Sequence, residues 1–74
     1  MADAAKEAGN AAFKAGQYDE AVRHFTAAIE GDASSHVLYS NRSAAYAKQG
    51  EFKNALLDGN KCIELAPEWG KGYS

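Results

Sequence analysis

The sequence predicts an all-α fold, an antiparallel helix-turn-helix solenoid with two complete repeats and the start of a third. The first observation behind this prediction is an internal repeat, because similar residues coincide when the chain is shifted by 34 positions. The second is a glycine near the middle of each copy, Gly16 and Gly50, which divides that copy into two stretches of helical length. A 34-residue period with two helices per copy is typical of solenoids built from stacked helical hairpins.

The repeat runs through the whole chain. Identical pairs at this shift include Ala11 and Ala45, Lys14 and Lys48, Ala21 and Ala55, Ile29 and Ile63, and Glu30 and Glu64. Tyr39 coincides with Tyr73, so a third copy begins near the last residue. We therefore expect residues 1–74 to form one partial domain, with repeat 1 at about 2–34, repeat 2 at about 35–68 and the start of repeat 3 at about 69–74.

The first helix of each copy, called here an A helix, is predicted over residues 3–15 and 36–49. Gly16 and Gly50 suit the left-handed position that ends such a helix. The second helix of each copy, called a B helix, is predicted over residues 18–31 and 52–65, with Tyr18 and Phe52 anchoring its start. Pro67 suits the first turn of a third A helix running through the end of the chain.

Small residues in this pattern predict close helix packing. We expect small side chains to let the helices approach and larger ones to fill the spaces between repeats; the small residues are Ala8, Gly9, Ala12, Ala21 and Ala28, and the larger ones are Phe25, Ile29 and Tyr46. Gly59 stands where the first copy has Phe25, and a glycine inside a helix costs ~1 kcal/mol. Cys62 is predicted to be a small buried apolar residue.

Several function classes are disfavoured by composition. A lone cysteine gives no disulfide framework or zinc cluster, and His24 and His36 have no acid or thiol spaced to form a catalytic set. A net charge of −2 disfavours nucleic acid and anionic membranes as partners. No apolar run approaches the ~20 residues of a membrane helix. We expect a cytoplasmic protein that is not an enzyme and uses no cofactor or metal.

A stripe of amides and lysines marks the A helices, which line the concave face of such a solenoid. Lys6, Asn10 and Phe13 share one face of the first A helix. Asn41, Ala44 and Lys48 do the same on the second, and Lys71 opens the third; these seven are the candidate binding residues.

Charge separates along the same lines. The A segments hold five basic residues against three acidic ones, and the rest of the chain holds three basic against seven acidic; the five are Lys6, Lys14, Arg42, Lys48 and Lys71. Amide donors between lysines suit a carboxylate, because ammonium groups supply charge and the amide NH₂ supplies directional hydrogen bonds. This pattern of amides and lysines therefore predicts that the concave face binds a peptide terminus rich in carboxylates.

The pattern resembles the tetratricopeptide-repeat family over essentially the whole chain, since the small residues, turn glycines, aromatic residues and terminal proline fall in register. It departs at Ala33, where the family usually has proline, and at Gly59, where a larger apolar residue is usual. The stripe resembles the carboxylate-clamp subset, which holds the free Glu-Glu-Val-Asp C-terminus of cytosolic chaperones. The resemblance implies that Lys6, Asn10, Asn41 and Lys71 hold the carboxylates of heat-shock protein 70, or of heat-shock protein 90.

One clamp residue of that subset is absent. Its arginine would follow Ser74, so the sequence is expected to be a piece of a longer co-chaperone. Three smaller alternatives stay open. Asn41 could satisfy a loop carbonyl, Lys48 could be solvated instead of contacting ligand carboxylates, and Phe13 could be core instead of a pocket wall.

A competing interpretation is a self-associating structural repeat with little peptide binding. Each repeat of a solenoid buries its apolar face on the next, and the second B helix carries Leu56, Cys62 and Ile63 with little of the chain left to cover them. This interpretation predicts a homodimer through the C-terminal end, or an oligomer that exchanges helices.

Overall fold

The computed structural model describes residues 2–65, with the side chains of residues 4–65. It contains four α-helices, α1 (Ala2–Lys14), α2 (Tyr18–Gly31), α3 (His36–Gln49) and α4 (Phe52–Leu65). Residues 2–65 contain no strand, and the predicted all-α class is confirmed. The bounds of α2, α3 and α4 equal the predicted ones, and α1 lies one residue earlier than expected. The predicted third A helix, with Pro67, lies outside the described residues.

Both predicted turn glycines have left-handed backbones, with φ of 79° at Gly16 and 83° at Gly50. At the first turn, the Gln17 N–H donates to the Ala12 carbonyl at 2.9 Å and the Gly16 N–H to that of Phe13 at 3.1 Å. The same pair of bonds recurs 34 residues later. These bonds satisfy carbonyls at each helix end, and the left-handed residue turns the chain back into an antiparallel partner.

The core lies where the first repeat meets α3. Helix α1 packs on α2, α2 on α3, and α3 on α4. Seven buried residues form one cluster between the first three helices, namely Ala12, Ala21, Phe25, Ala28, Ile29, Leu38 and Ala45. Alanines on facing helices bring the backbones close, while Phe25 and Leu38 fill the remaining volume. This packing holds α1 and α3, which carry the candidate site, against α2.

Helix α4 contributes little to this core. Within α4 the buried residues are Asp58 and Cys62, so the prediction that Cys62 is buried is confirmed. The prediction that Cys62 lies on the uncovered face of α4, beside Leu56 and Ile63, is wrong. Four large apolar side chains of α4 are more than half exposed, namely Phe52, Leu56, Leu57 and Ile63.

The prediction that Phe52 anchors α4 as Tyr18 anchors α2 is wrong, because Phe52 is 70% exposed. The rings of Tyr18 and Phe13 pack edge to face, with centroids 5.3 Å apart. The residue 34 positions after Phe13 is Ala47, which offers no ring to Phe52. An aromatic anchor of this kind needs a partner on the preceding helix.

Candidate functional site

A depression of about 200 Å³ lies between α1 and α3, and it contains most of the predicted stripe. It is lined by Asn10 and Phe13 of α1, Asn41 and Ala44 of α3, and Phe25 of α2. Helices α1 and α3 each contribute two residues three apart, which lie on one face of the helix. Four of the seven predicted site residues are thus neighbours around one small hollow.

Phe25 was expected in the core only, yet it also forms part of this hollow. It is 1% exposed and lies against the backbone of Gly9, where an added Cβ would come 2.6 Å from its Cε1 atom. The missing side chain at Gly9 therefore lets the ring enter the space behind α1. A mid-helix glycine on α1 paired with a large aromatic residue on α2 was the sequence signal for this arrangement.

The two asparagines present half-buried amides to the hollow. Within residues 4–65, neither the Asn10 nor the Asn41 side chain makes a hydrogen bond to another described residue. The alternative expectation, a hydrogen bond from Asn41 to a loop carbonyl, is thus not found among the described residues. Each amide offers two N–H donors and one acceptor oxygen to a ligand.

The predicted lysines stand apart from the hollow. Lys6 is half-buried one helical turn before Asn10, and Lys48 is exposed one turn after Ala44. Neither lines the depression. Lys71 lies outside the described residues. Long flexible lysine side chains at these positions can approach a ligand held by the amides.

Arg42 does not add free charge to the concave face, which corrects the expected charge excess. Its Nε donates to Asp58 Oδ2 at 2.7 Å and its Nη2 to Oδ1 at 2.8 Å, a bidentate pair between α3 and α4. Its Nη1 donates to Thr26 Oγ1 of α2 at 3.2 Å. The hydrogen bond to Asp58 raises the pKa of Arg42 above its ordinary value, so the guanidinium stays charged and is compensated within the protein.

Two tyrosines complete the surroundings of Arg42. The guanidinium carbon is 5.7 Å from the ring centroids of both Tyr39 and Tyr46, on the preceding and following turns of α3. Ser43 adds a second link to α4, because its hydroxyl donates to the Ala55 carbonyl at 2.6 Å. Helix α3 is therefore tied to α4 by polar contacts on the side adjacent to the one that carries Asn41.

Sequence reasoning missed this cluster. The available signal was an aspartate on the inner face of α4, since Asp58 shares the spacing i, i+3, i+7 with Ala55 and Cys62. A carboxylate on such a face needs a cationic partner when it is buried. Arg42 is that partner, although it lies sixteen residues earlier.

A second hollow, wide and open, lies at the other end of the helices. It is lined by the α1–α2 turn, the start of α2 and the end of α3, and none of the seven predicted binding residues lines it. The Gln49 amide donates to the Asp19 carboxylate across it. Among residues 2–65 there is no group of three histidine, cysteine or acidic side chains placed to hold a metal ion. None of the described helices is long and apolar enough to cross a membrane.

Comparison with known proteins identifies one family. A model of the TPR (tetratricopeptide) repeat matches residues 9–50. The chain is 55% identical over 74 residues to the "Hsp70-Hsp90 organizing protein" of Triticum aestivum, covering 100% of this chain and 13% of that protein. It is 55% identical over 72 residues to "Hsp70-Hsp90 organizing protein 2" of Arabidopsis thaliana, covering 97% and 13%. It is 51% identical over 74 residues to "Heat shock protein STI1" of Saccharomyces cerevisiae, covering 99% and 13%. The chain thus spans about one eighth of the length of these relatives.

Proposed function

The chain belongs to the tetratricopeptide-repeat family, and from this membership we propose that it is a co-chaperone module that binds the C-terminal carboxylates of a chaperone peptide. The proposed ligand is the Glu-Glu-Val-Asp terminus of heat-shock protein 70, with heat-shock protein 90 as the second possibility. The printed names of the relatives, which refer to these two chaperones, support this choice. The proposal places the chain in the cytoplasm, as a binding module and not an enzyme.

The observation that carries the proposal is the pair of asparagines on opposite sides of one hollow. Asn10 and Asn41 bring neutral N–H donors from α1 and α3 to the same depression, and neither donor is used by another described residue. A carboxylate has two oxygens that accept several hydrogen bonds, so both amides could bind one terminal group. Neutral donors also avoid the repulsion that adjacent cations would add.

The lysines supply the charge in this arrangement. Lys6 lies one turn from Asn10, and Lys48 one turn from Ala44, so each lies one helical turn from a residue that lines the hollow. We assign Lys6 and Lys71 to the terminal carboxylates and Lys48 to an acidic ligand side chain. In this scheme Phe13, Phe25 and Ala44 contact an aliphatic side chain of the peptide, which makes Phe13 a wall of the site as well as a partner of Tyr18.

The test is a titration followed by NMR. The 74-residue chain is titrated with an octapeptide ending in Glu-Glu-Val-Asp, once as the free acid and once with an amidated C-terminus. The proposal expects the side-chain amide resonances of Asn10 and Asn41 to shift with the free acid and to stay in place with the amide. Equal shifts with both peptides, or none with either, would refute it.

A second candidate function, self-association, is favoured by the exposed apolar side of α4. Phe52, Leu56 and Ile63 are 70%, 64% and 55% exposed. Side chains of this size gain ~1.5–3 kcal/mol each when fully buried. In the repeat scheme that we propose, with a second repeat at 35–68 and a third beginning at 69, this is the side on which a following helix would pack. A second copy could cover it instead.

Sedimentation equilibrium tests this candidate. Self-association predicts a dimer whose population rises with concentration and falls in a Leu56→Gln/Ile63→Gln variant. A Lys53→Gln/Lys61→Gln variant is the matched control on the same helix and should associate as the wild type does. A monomer at all concentrations would exclude the candidate. The two functions are compatible, because the hollow and the apolar side of α4 use different residues.

A further inference from the structure

We propose that Arg42 and Asp58 are positioning residues for peptide recognition: their ion pair sets the rotation of α3 about its own axis and thereby aims the Asn41 amide at the hollow. The inference rests on the proposed function and deepens it. Neither residue lines the depression, so both would act on the ligand through the position of Asn41. The pair would hold Asn41 in position without touching the ligand.

The first argument comes from the packing of the second repeat. In the first repeat, α1 and α2 interlock through the Phe25 ring, which enters the space left by Gly9. The corresponding residues of the second repeat are Ser43 and Gly59, which are both small. The second repeat therefore lacks the ring that interlocks the two helices of the first, and this contact does not define how α3 is rotated against α4.

The second argument is that polar contacts define the rotation of α3 relative to α4. The bidentate bond from Arg42 to Asp58 has two parallel N–H···O contacts of 2.7 and 2.8 Å, which fix direction as well as distance. The third nitrogen of the same guanidinium reaches Thr26 at 3.2 Å. Arg42 therefore connects α3 to α2 and α4 at once. Its side chain is 18% exposed and that of Asp58 is 8% exposed, so water screens the pair weakly.

The third argument is geometric. Asn41 and Arg42 are consecutive in α3, so their side chains point ~100° apart around the helix. Any rotation that lengthens the Arg42–Asp58 bonds also swings the Asn41 side chain along the rim of the hollow. A rotation of ~20° moves the end of a side chain by ~2 Å, because the side-chain surface of a helix lies ~5–6 Å from its axis. A displacement of that size is enough to break a hydrogen bond.

The experiment compares two double variants with the wild type. Arg42→Met/Asp58→Leu replaces the ion pair with apolar side chains of similar size, a change that buried pairs often tolerate in stability. Arg23→Met/Glu20→Met removes the exposed ion pair of α2, whose charged atoms are 3.7 Å apart, and is the matched control. Each protein is titrated with the free-acid and the amidated octapeptide.

The informative quantity is the ratio of the two affinities, free acid over amide. Loss of folded protein weakens both affinities by the same factor and leaves the ratio unchanged. Misplacement of Asn41 lowers the affinity for the free acid alone. We expect the ratio to fall about ten- to hundredfold in Arg42→Met/Asp58→Leu, because one hydrogen bond to a charged group is lost. In the control the ratio should stay at the wild-type value. An unchanged ratio would overturn the inference.

A measurement without ligand separates this inference from the proposed function. Residual dipolar couplings of the α3 backbone N–H groups report the rotation of α3 about its axis relative to α2. The inference expects a rotation in Arg42→Met/Asp58→Leu and none in the control; an unrotated α3 overturns it. If the wild-type protein does not distinguish acid from amide, the proposed function fails, and these couplings still decide whether the pair sets the rotation of α3.

Discussion

Phe25 lies against the bare backbone of Gly9, where a Cβ would come within 2.6 Å of its ring, and the second repeat does not use this contact. At the corresponding positions Ser43 faces Gly59, and a Cβ on Gly59 would meet the Ser43 hydroxyl at a distance of 3.7 Å. One glycine is therefore required for packing, whereas the other has room for a methyl group. The two positions make opposite predictions for the same substitution.

Gly9→Ala is expected to destabilise the protein. The added methyl would overlap a ring that is 1% exposed and cannot move freely, and overpacking of this kind costs ~1–3 kcal/mol, partly offset by the better helix propensity of alanine. Chemical denaturation of the variant should show a lower free energy of unfolding. Because Phe25 also lines the hollow, the variant should bind the free-acid peptide more weakly as well. Wild-type stability would contradict the close contact.

Gly59→Ala is expected to stabilise the protein. The added Cβ would lie at an ordinary van der Waals distance from the Ser43 hydroxyl. The gain in helix propensity, ~1 kcal/mol, is therefore not opposed by a clash. Thermal unfolding should show a higher Tm, and the affinity for peptide should not change. A lower Tm would mean that α3 and α4 approach more closely than the structure indicates.

Asn41→Ala should weaken binding of the free-acid octapeptide about ten- to hundredfold, since one hydrogen bond to a charged group is worth ~1.5–3 kcal/mol. Isothermal titration calorimetry provides the Kd. Asn60→Ala is the matched control, because Asn60 is an exposed asparagine on α4, and this variant should bind as the wild type does. Equal losses in both variants would point to a general effect on folding.

Salt should weaken peptide binding through the lysines. Raising the ionic strength from about 0.05 to about 0.5 M shortens the screening length and reduces attraction between exposed charges. The salt dependence of Kd should be smaller in Lys6→Ala than in the wild type, while Lys53→Ala on α4 should retain the full dependence. Self-association through apolar side chains should persist or strengthen under the same conditions, so salt should weaken the first candidate function and not the second.

Cys62 should make stability depend on pH in the alkaline range. Burial raises the pKa of the Cys62 thiol above its ordinary value of 9.0. Above that value the unfolded chain loses the thiol proton while the folded chain retains it, so the contribution is fully present below pH 9.0 and declines as pH rises. The free energy of unfolding should fall more between neutral and alkaline pH in the wild type than in Cys62→Ala. Parallel pH profiles of the two proteins would show that the thiol ionises equally in both states.

Much of the fold could be predicted because its signals are local. A glycine that must be left-handed is recognisable without knowledge of the rest of the structure, and Gly16 and Gly50 ended their helices as expected. The spacing of Asn10 and Phe13, and of Asn41 and Ala44, likewise places each pair on one helix face, and the structure brings all four to one hollow. Whether they bind a carboxylate stays a prediction.

What the sequence determined by itself, then, is the helices, their turns and which site residues share a helix face, since each depends on residues within a few positions of one another. Tertiary structure alone decided which charges are free and which side chains find partners. In the sequence Arg42 counts as a free cation and Phe52 as a packed ring, but in the structure Asp58 compensates Arg42 and Phe52 is 70% exposed. The physical reason is that compensation of charge and contact between rings depend on distances of a few ångströms between separate helices.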